Sequence, residues 1–281
     1  MKSLSALTLR SKNLLALCLL FPAIAFAACS RPIQVPVSAT GQSVIIKGEA
    51  VSGIYPEMLR GIADKEECNF VFSVVPRARL EAMFESGSAD LLIPASKTPR
   101  RDELGLFIPL IHYRATLISI DRKEAKRPAI KSAQDLINRR DLRVVLVRGF
   151  DYGPAYQALV TELTKQGRIA MEADPTSVAR VLKAGTFQLT IMAPSIFAGA
   201  IQGDARVEDL LGKLRYEAID ELPWGESGVY ISKRSLTDDD RDNLRELLER
   251  AANSGVVWKN FQRYYSAEVL KQSIGPRDTA H

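Results

Sequence analysis

Histidine is almost missing from this sequence of 281 residues, which holds only His112 and His281. A serine-type triad would therefore have to be built on His112. No Gly-x-Ser-x-Gly elbow, phosphate-cradling glycine loop or zinc-ligand spacing occurs either. Cysteine is scarce, with three residues, and the apolar run 14–26 falls short of the ~20 residues that cross a bilayer. No stripe of Lys and Arg interleaved with aromatics marks a nucleic-acid surface. These gaps leave no residue to assign to catalysis, to a metal or to a cofactor. The chain is expected to be a binder and not an enzyme, with no nucleic-acid partner.

What is present begins with an export signal. Lys2, Arg10 and Lys12 precede the apolar run 14–26, and Ala25-Phe26-Ala27 is an A-x-A cleavage pattern. Residues 1–27 are expected to be a cleaved signal peptide and the mature chain to be periplasmic. Ala27-Ala28-Cys29 also ends like a lipobox, and lipidation of Cys29 is the rival reading. Cleavage removes three of the 38 basic residues and no acidic one, so the mature net charge is about +2. Cys18 leaves with the signal, and Cys29 and Cys68 remain as an even pair. In an oxidising compartment one disulfide would close that loop and contribute about 3–4 kcal/mol on the chain-entropy model. Two free thiols are the alternative.

The mature chain reads as alternating strands and helices. Apolar and polar residues alternate over 32–38, a short hairpin arm covers 44–48, and a helix from about Tyr55 carries Met58, Leu59 and Ile62 on one face. A strand at 69–75 is followed by a helix opening at Pro76-Arg77-Ala78-Arg79 and capped by Gly87. The run Leu91-Leu92-Ile93 then reads as a buried strand stopped by Pro94. The basic run 121–127 is the expected boundary, after which a helix capped by Ser132, a strand at 142–147 and further alternation repeat the pattern. Lobe I is expected over 28–120 and again over 218–281, with lobe II over 121–217. The segment 216–223 would be a crossing strand, and the tail after Ile274 would be frayed. The fold class is α/β: two mixed sheets joined by two hinge crossings, with ligand at the carboxyl ends of strands between the lobes.

Ser96, Thr98 and Arg101 follow the organising strand at 91–93. Hydroxyls beside a guanidinium suit a carboxylate, because the planar fork donates two parallel hydrogen bonds. Arg101 paired with Asp102 or Glu103 on the surface is the plainer reading. Arg77 either lines the cleft or pairs on the surface. Asp151 is a helix cap or the partner of a ligand ammonium. Phe150, Tyr152 and Trp224 either stack on a ligand or pack near the hinge, and His112 is expected to pack there.

Taken together, Gly87-x-Ala89-Asp90, Thr98-Pro99-Arg100-Arg101, Phe107-x-Pro109, Arg148-Gly149-Phe150, Leu182-x-x-Gly185 and Gly228-Val229-Tyr230-Ile231-Ser232-Lys233 resemble a family. It is the bacterial extracellular solute-binding proteins of the amino-acid type (family three). The resemblance implies a two-lobed periplasmic-binding-protein fold (type II) that acts as a monomer. Its partners would be a small carboxylate-bearing solute and an inner-membrane ABC permease. It also implies Arg101 on the ligand's carboxylate, aided by Ser96 and Thr98. Backbone N–H groups of Gly149, Phe150 and Asp151 would form an anion seat at a helix start. Two positions depart from the family. Ala193-Pro194 stand where an acid usually meets the ligand's ammonium, and no aromatic follows the first strand near 38–41. Glu226 is a second candidate for the missing acid. A sensor domain for a receptor, or an exported cyclic-acid dehydratase on the same fold, are the alternatives.

Overall fold

The computed structural model describes residues 29–121, 128–185 and 187–278. The expected signal peptide, 1–27, and residues 122–127 of the expected boundary run lie outside the described residues. The first part of the chain holds β1 (Ile33–Val37), β2 (Ile45–Lys47), β3 (Ala50–Ser52), α1 (Ile54–Glu66), β4 (Phe70–Val74), α2 (Arg77–Ser86), β5 (Leu91–Ser96), α3 (Pro99–Leu104) and β6 (Gly105–Tyr113). The middle holds β7 (Thr116–Ile120), α4 (Ala133–Asn138), β8 (Arg143–Val147), α5 (Pro154–Lys165), β9 (Ile169–Glu172), α6 (Pro175–Ala184), β10 (Gln188–Met192), α7 (Pro194–Gln202), a 3-10 turn (Glu208–Lys213) and β11 (Leu214–Glu217). The chain ends with β12 (Gly225–Ser232), α8 (Asp238–Asn253), α9 (Val256–Tyr264), α10 (Ala267–Ser273) and β13 (Ile274–Pro276).

Two bodies of sheet result. In lobe I the strands run β13-β6-β12-β5, and the parallel pair β1-β4 lies beside β5. Asp90 makes that junction: its backbone N–H donates to the Gln34 carbonyl, and its carboxylate accepts from the Gln34 N–H at 2.7 Å. Lobe II is a mixed sheet in the order β11-β7-β10-β8-β9. Strands β8 and β9 are parallel, and β7 is antiparallel to both β10 and β11. The apolar faces of α1, α8 and α9 cover one side of lobe I, where Leu59, Leu248 and Phe261 are fully enclosed. Cys29 and Cys68 are joined by a disulfide that ties the start of the first strand to the end of α1.

Four sequence expectations need correcting. Pro94 does not stop its strand, because β5 continues to Ser96. The register between β5 and β12 shifts between Gly228 and Tyr230, so Pro94 sits at a bulge where its missing N–H costs no ladder bond. The sheet change comes earlier than the basic run: β6 ends in lobe I at Tyr113 and β7 begins in lobe II at Thr116. The return crossing is not one strand, since β11 ends at Glu217 and β12 starts at Gly225. The described part of the tail is docked, with β13 paired antiparallel to β6 at the edge of the lobe I sheet, while residues 279–281 lie outside the described residues. A three-residue strand carries too little pattern to be read from sequence.

Candidate functional site

The cleft wall of lobe I is built from the start of α2 and the end of β5. Thr98 caps α3, its hydroxyl accepting from the Arg101 N–H at 3.4 Å, so the Thr-Pro-Arg-Arg spacing is the opening of a short helix. Capping turns the Arg101 side chain inward, where it is 4 % exposed. Its Nη1 donates to the Ser96 carbonyl at 2.9 Å, and its Nη2 donates to Glu81 Oε1 at 2.7 Å. Arg77, equally buried, reaches the same carboxylate from one helical turn away at 2.8 Å and also donates to the Pro94 carbonyl. Two guanidiniums, always protonated, therefore share one carboxylate. The Nε of Arg77 is buried and has no partner. This cluster is one negative charge short.

Above it, the Tyr113 hydroxyl donates to Ser96 Oγ at 2.6 Å, and burial pushes the Tyr113 phenol up to about 12. Thr98 is committed within lobe I: its N–H donates to the Tyr230 hydroxyl, which in turn donates to Asp102. Arg100 points outward and pairs with Glu85.

The wall of lobe II is the turn 148–153 between β8 and α5. Gly149 has φ +87, and a Cβ there would lie 3.1 Å from the Ala78 backbone. Only glycine permits both that conformation and that approach, and the contact holds the lobe II turn against the start of α2. Phe150 lies under the Arg77 guanidinium at 5.8 Å, and its N–H donates back to the Val147 carbonyl. Asp151 Oδ1 accepts from the Gly153 N–H and from Gln157 Nε2, which makes it an Asx turn at the start of α5. Tyr152 sits among Tyr113, Phe150 and Tyr156. The lobes also meet at α7, where the Gln42 N–H is hydrogen-bonded to the Tyr265 hydroxyl beside Gly199.

Between the two walls a cavity of about 50 Å³ remains, bordered by Arg77, Ser96, Tyr113, Tyr152, Ile196 and Ser227. A wider groove of about 510 Å³ opens on its outer side, lined by Glu81, Arg101, Arg148, Gly149, Asp151 and Gln157 among others. The structure thus brings Arg77, Ser96, Phe150, Asp151 and Tyr152 to the inner cavity and Arg101 and Gly149 to the outer groove. Thr98 lies at a third pocket, with His112, Trp224 and Glu226. Sequence reasoning missed Glu81, although its i,i+4 spacing from Arg77 on one helix was a readable signal. It also missed Ser227 and Ile196, which arrive from β12 and α7 and carry no local pattern.

No family model and no curated protein sequence matches the chain. Solved structures do. An ancestral arginine-binding protein bound to arginine superposes with a TM-score of 0.63 at 14% identity, over 84% of this chain and 98% of that one. The fold is the periplasmic-binding-protein fold. An amino-acid ABC transporter substrate-binding protein from Streptococcus pneumoniae, bound to L-arginine, gives 0.63 at 17% identity over 83% and 93% of the two chains. A histidine kinase sensor domain with similarity to periplasmic binding proteins gives 0.63 at 18% identity over 84% and 96%. At these identities the likeness is one of fold, and it agrees with the two-lobed architecture that the sequence motifs implied.

Proposed function

We propose that the chain is an exported solute-binding protein of the family-three type. It would hold a small carboxylate-bearing solute between its lobes and deliver it to an inner-membrane ABC permease. The observation that carries this reading is the charge-deficient cluster at the lobe boundary: Arg77 and Arg101 on the single carboxylate of Glu81, with Arg77 bordering a cavity and its Nε buried and unpaired. A buried cation without its counter-charge is costly, and an incoming carboxylate supplies one. Solute that touches both walls binds the closed form better than an open one and so shifts the population toward closure. The same closed form serves a receptor in the alternative reading, which the likeness to a kinase sensor domain favours.

A thermal-shift panel of amino acids, dicarboxylates, aromatic acids, polyamines and short peptides tests the binding reading. A solute at 100 times its Kd should stabilise by about 2.7 kcal/mol, a rise of several degrees. The stabilisation should vanish in Arg101→Ala. Polyamine hits, or a carboxylate hit that Arg101→Ala leaves within threefold of wild-type affinity, would reject the assignment.

A further inference from the structure

One of the side chains that border the small inner cavity is aromatic and belongs to both lobes' packing. The ring of Tyr152 lies 6.0 Å from Tyr113, 6.0 Å from Phe150 and 5.1 Å from Tyr156, and it packs against the apolar clusters of both lobes. The residue as a whole is half-buried, while its hydroxyl is buried. That hydroxyl faces the backbone of Ala193 outside normal hydrogen-bond geometry. Arg77, which borders the same cavity, has its Nε likewise buried without a partner. Buried polar atoms are rarely left this way in native proteins, and two at one cavity need an explanation. Gly149 and Gly153, on either side of residues 150–152, both hold positive φ, a conformation that glycine takes without strain.

We propose that Tyr152 is a resident stopper of the solute pocket. The solute is then an aromatic carboxylate whose ring replaces the Tyr152 phenol among Tyr113, Phe150 and Tyr156 while its carboxylate reaches Arg77 Nε. The inference rests on the reading of the cleft as a solute site. Three rings already enclose a six-membered ring there, so the slot fits another once Tyr152 swings out. A space of about 50 Å³ is small for such a ring with Tyr152 in place, since a cavity that takes up benzene measures on the order of 150 Å³. The carboxylate supplies the negative charge that the Arg77–Glu81–Arg101 cluster lacks. An ammonium is not required, since the β10 end of the wall is Ala193-Pro194.

The test is isothermal titration of wild type, Tyr152→Ala and Tyr152→Phe with p-cresol, benzoate, phenylalanine and acetate, with circular dichroism confirming each fold. Tyr152→Ala should bind benzoate and p-cresol at least tenfold more tightly than wild type, because no stopper has to be displaced. Tyr152→Phe should melt no lower than wild type, since its lost hydroxyl had no partner. Phenylalanine bound more weakly than benzoate supports a solute without an amine. Acetate bound by wild type as tightly as benzoate overturns the ring requirement. Benzoate bound equally by all three proteins, or a Tyr152→Phe protein that melts several degrees lower, overturns the stopper. If p-cresol fills the alanine variant while no carboxylate binds any protein, the solute-binding reading falls and the ligand class with it.

Discussion

The two walls of the cleft are made of different chemistry. Lobe I brings charge: Arg77, Arg101 and Glu81 arrive from α2 and α3, each fixed by at least two hydrogen bonds. Lobe II brings shape, in Phe150, Tyr152 and Tyr156 on and beside a turn flanked by two glycines of positive φ. Its one acid in the turn, Asp151, holds that turn together. The contrast teaches a division of labour. On the proposed reading, the wall of lobe I would set the charge of the solute and the wall of lobe II the shape of its body.

The largest expected effect strikes the charged wall. Glu81→Ala leaves two buried guanidiniums facing each other, and breaking a buried ion cluster this way costs about 3–5 kcal/mol. Urea denaturation should therefore show a larger loss than any single aromatic truncation in the lobe II turn. Equal losses would dissolve the contrast between the walls.

The second prediction uses the disulfide, which lies wholly in lobe I. Reduction should destabilise by about 3–4 kcal/mol. It should release amide protection in α1 and β1 before β8 and β10, as read by hydrogen exchange. Simultaneous release in both lobes would show that they unfold as one unit.

Asp90 gives a smaller, pH-dependent effect. Burial alone would raise its pKa, but hydrogen bonds from Arg31, Ser235 and the Gln34 N–H outweigh that and hold it below the usual 3.8. A carboxyl depressed in the folded state contributes stability that is complete above its unfolded pKa. That stability is lost as pH falls through the folded value. Asp90→Asn should cost about 1–3 kcal/mol at pH 7, as expected for charged hydrogen bonds, and the gap to wild type should close toward pH 2. A gap independent of pH would mean that the carboxylate charge is not what joins β1 to β5.

The smallest effect is at the contact between the walls. Gly149→Ala asks a non-glycine residue to hold φ +87 against the Ala78 backbone, at a cost of about 1–2 kcal/mol. The lobes should part and the radius of gyration from solution scattering should rise. An unchanged radius would mean that this contact does not hold the cleft closed.

How much of this was legible depended on where each signal lies along the chain. Alternation of strand and helix, the Ser132 and Gly87 caps and the even cysteine pair are local or nearly so, and they led to the fold and the disulfide. The Thr98–Arg101 spacing was visible as well, but its meaning depended on α3, a helix of six residues too short to show a period. Pro94 read as a stop because the bulge that accommodates it is formed with β12, more than a hundred residues away. The pocket wall at Ser227 and Ile196 was out of reach for the same reason: only the fold brings them to Arg77. Tyr152 was read as a residue that either stacks on a ligand or packs near the hinge. Its place at the cavity depends on packing from both lobes at once.

The central claim is that the charge-deficient guanidinium cluster of lobe I holds a solute carboxylate. The most direct measurement is the affinity of the tightest-binding carboxylate for wild type and for Arg77→Gln, with Glu81 and Arg101 still paired and the fold confirmed by circular dichroism. A loss of roughly 100-fold or more, about 2.7 kcal/mol, is the expected result. Affinity within threefold of wild type, in a folded variant, would contradict the account.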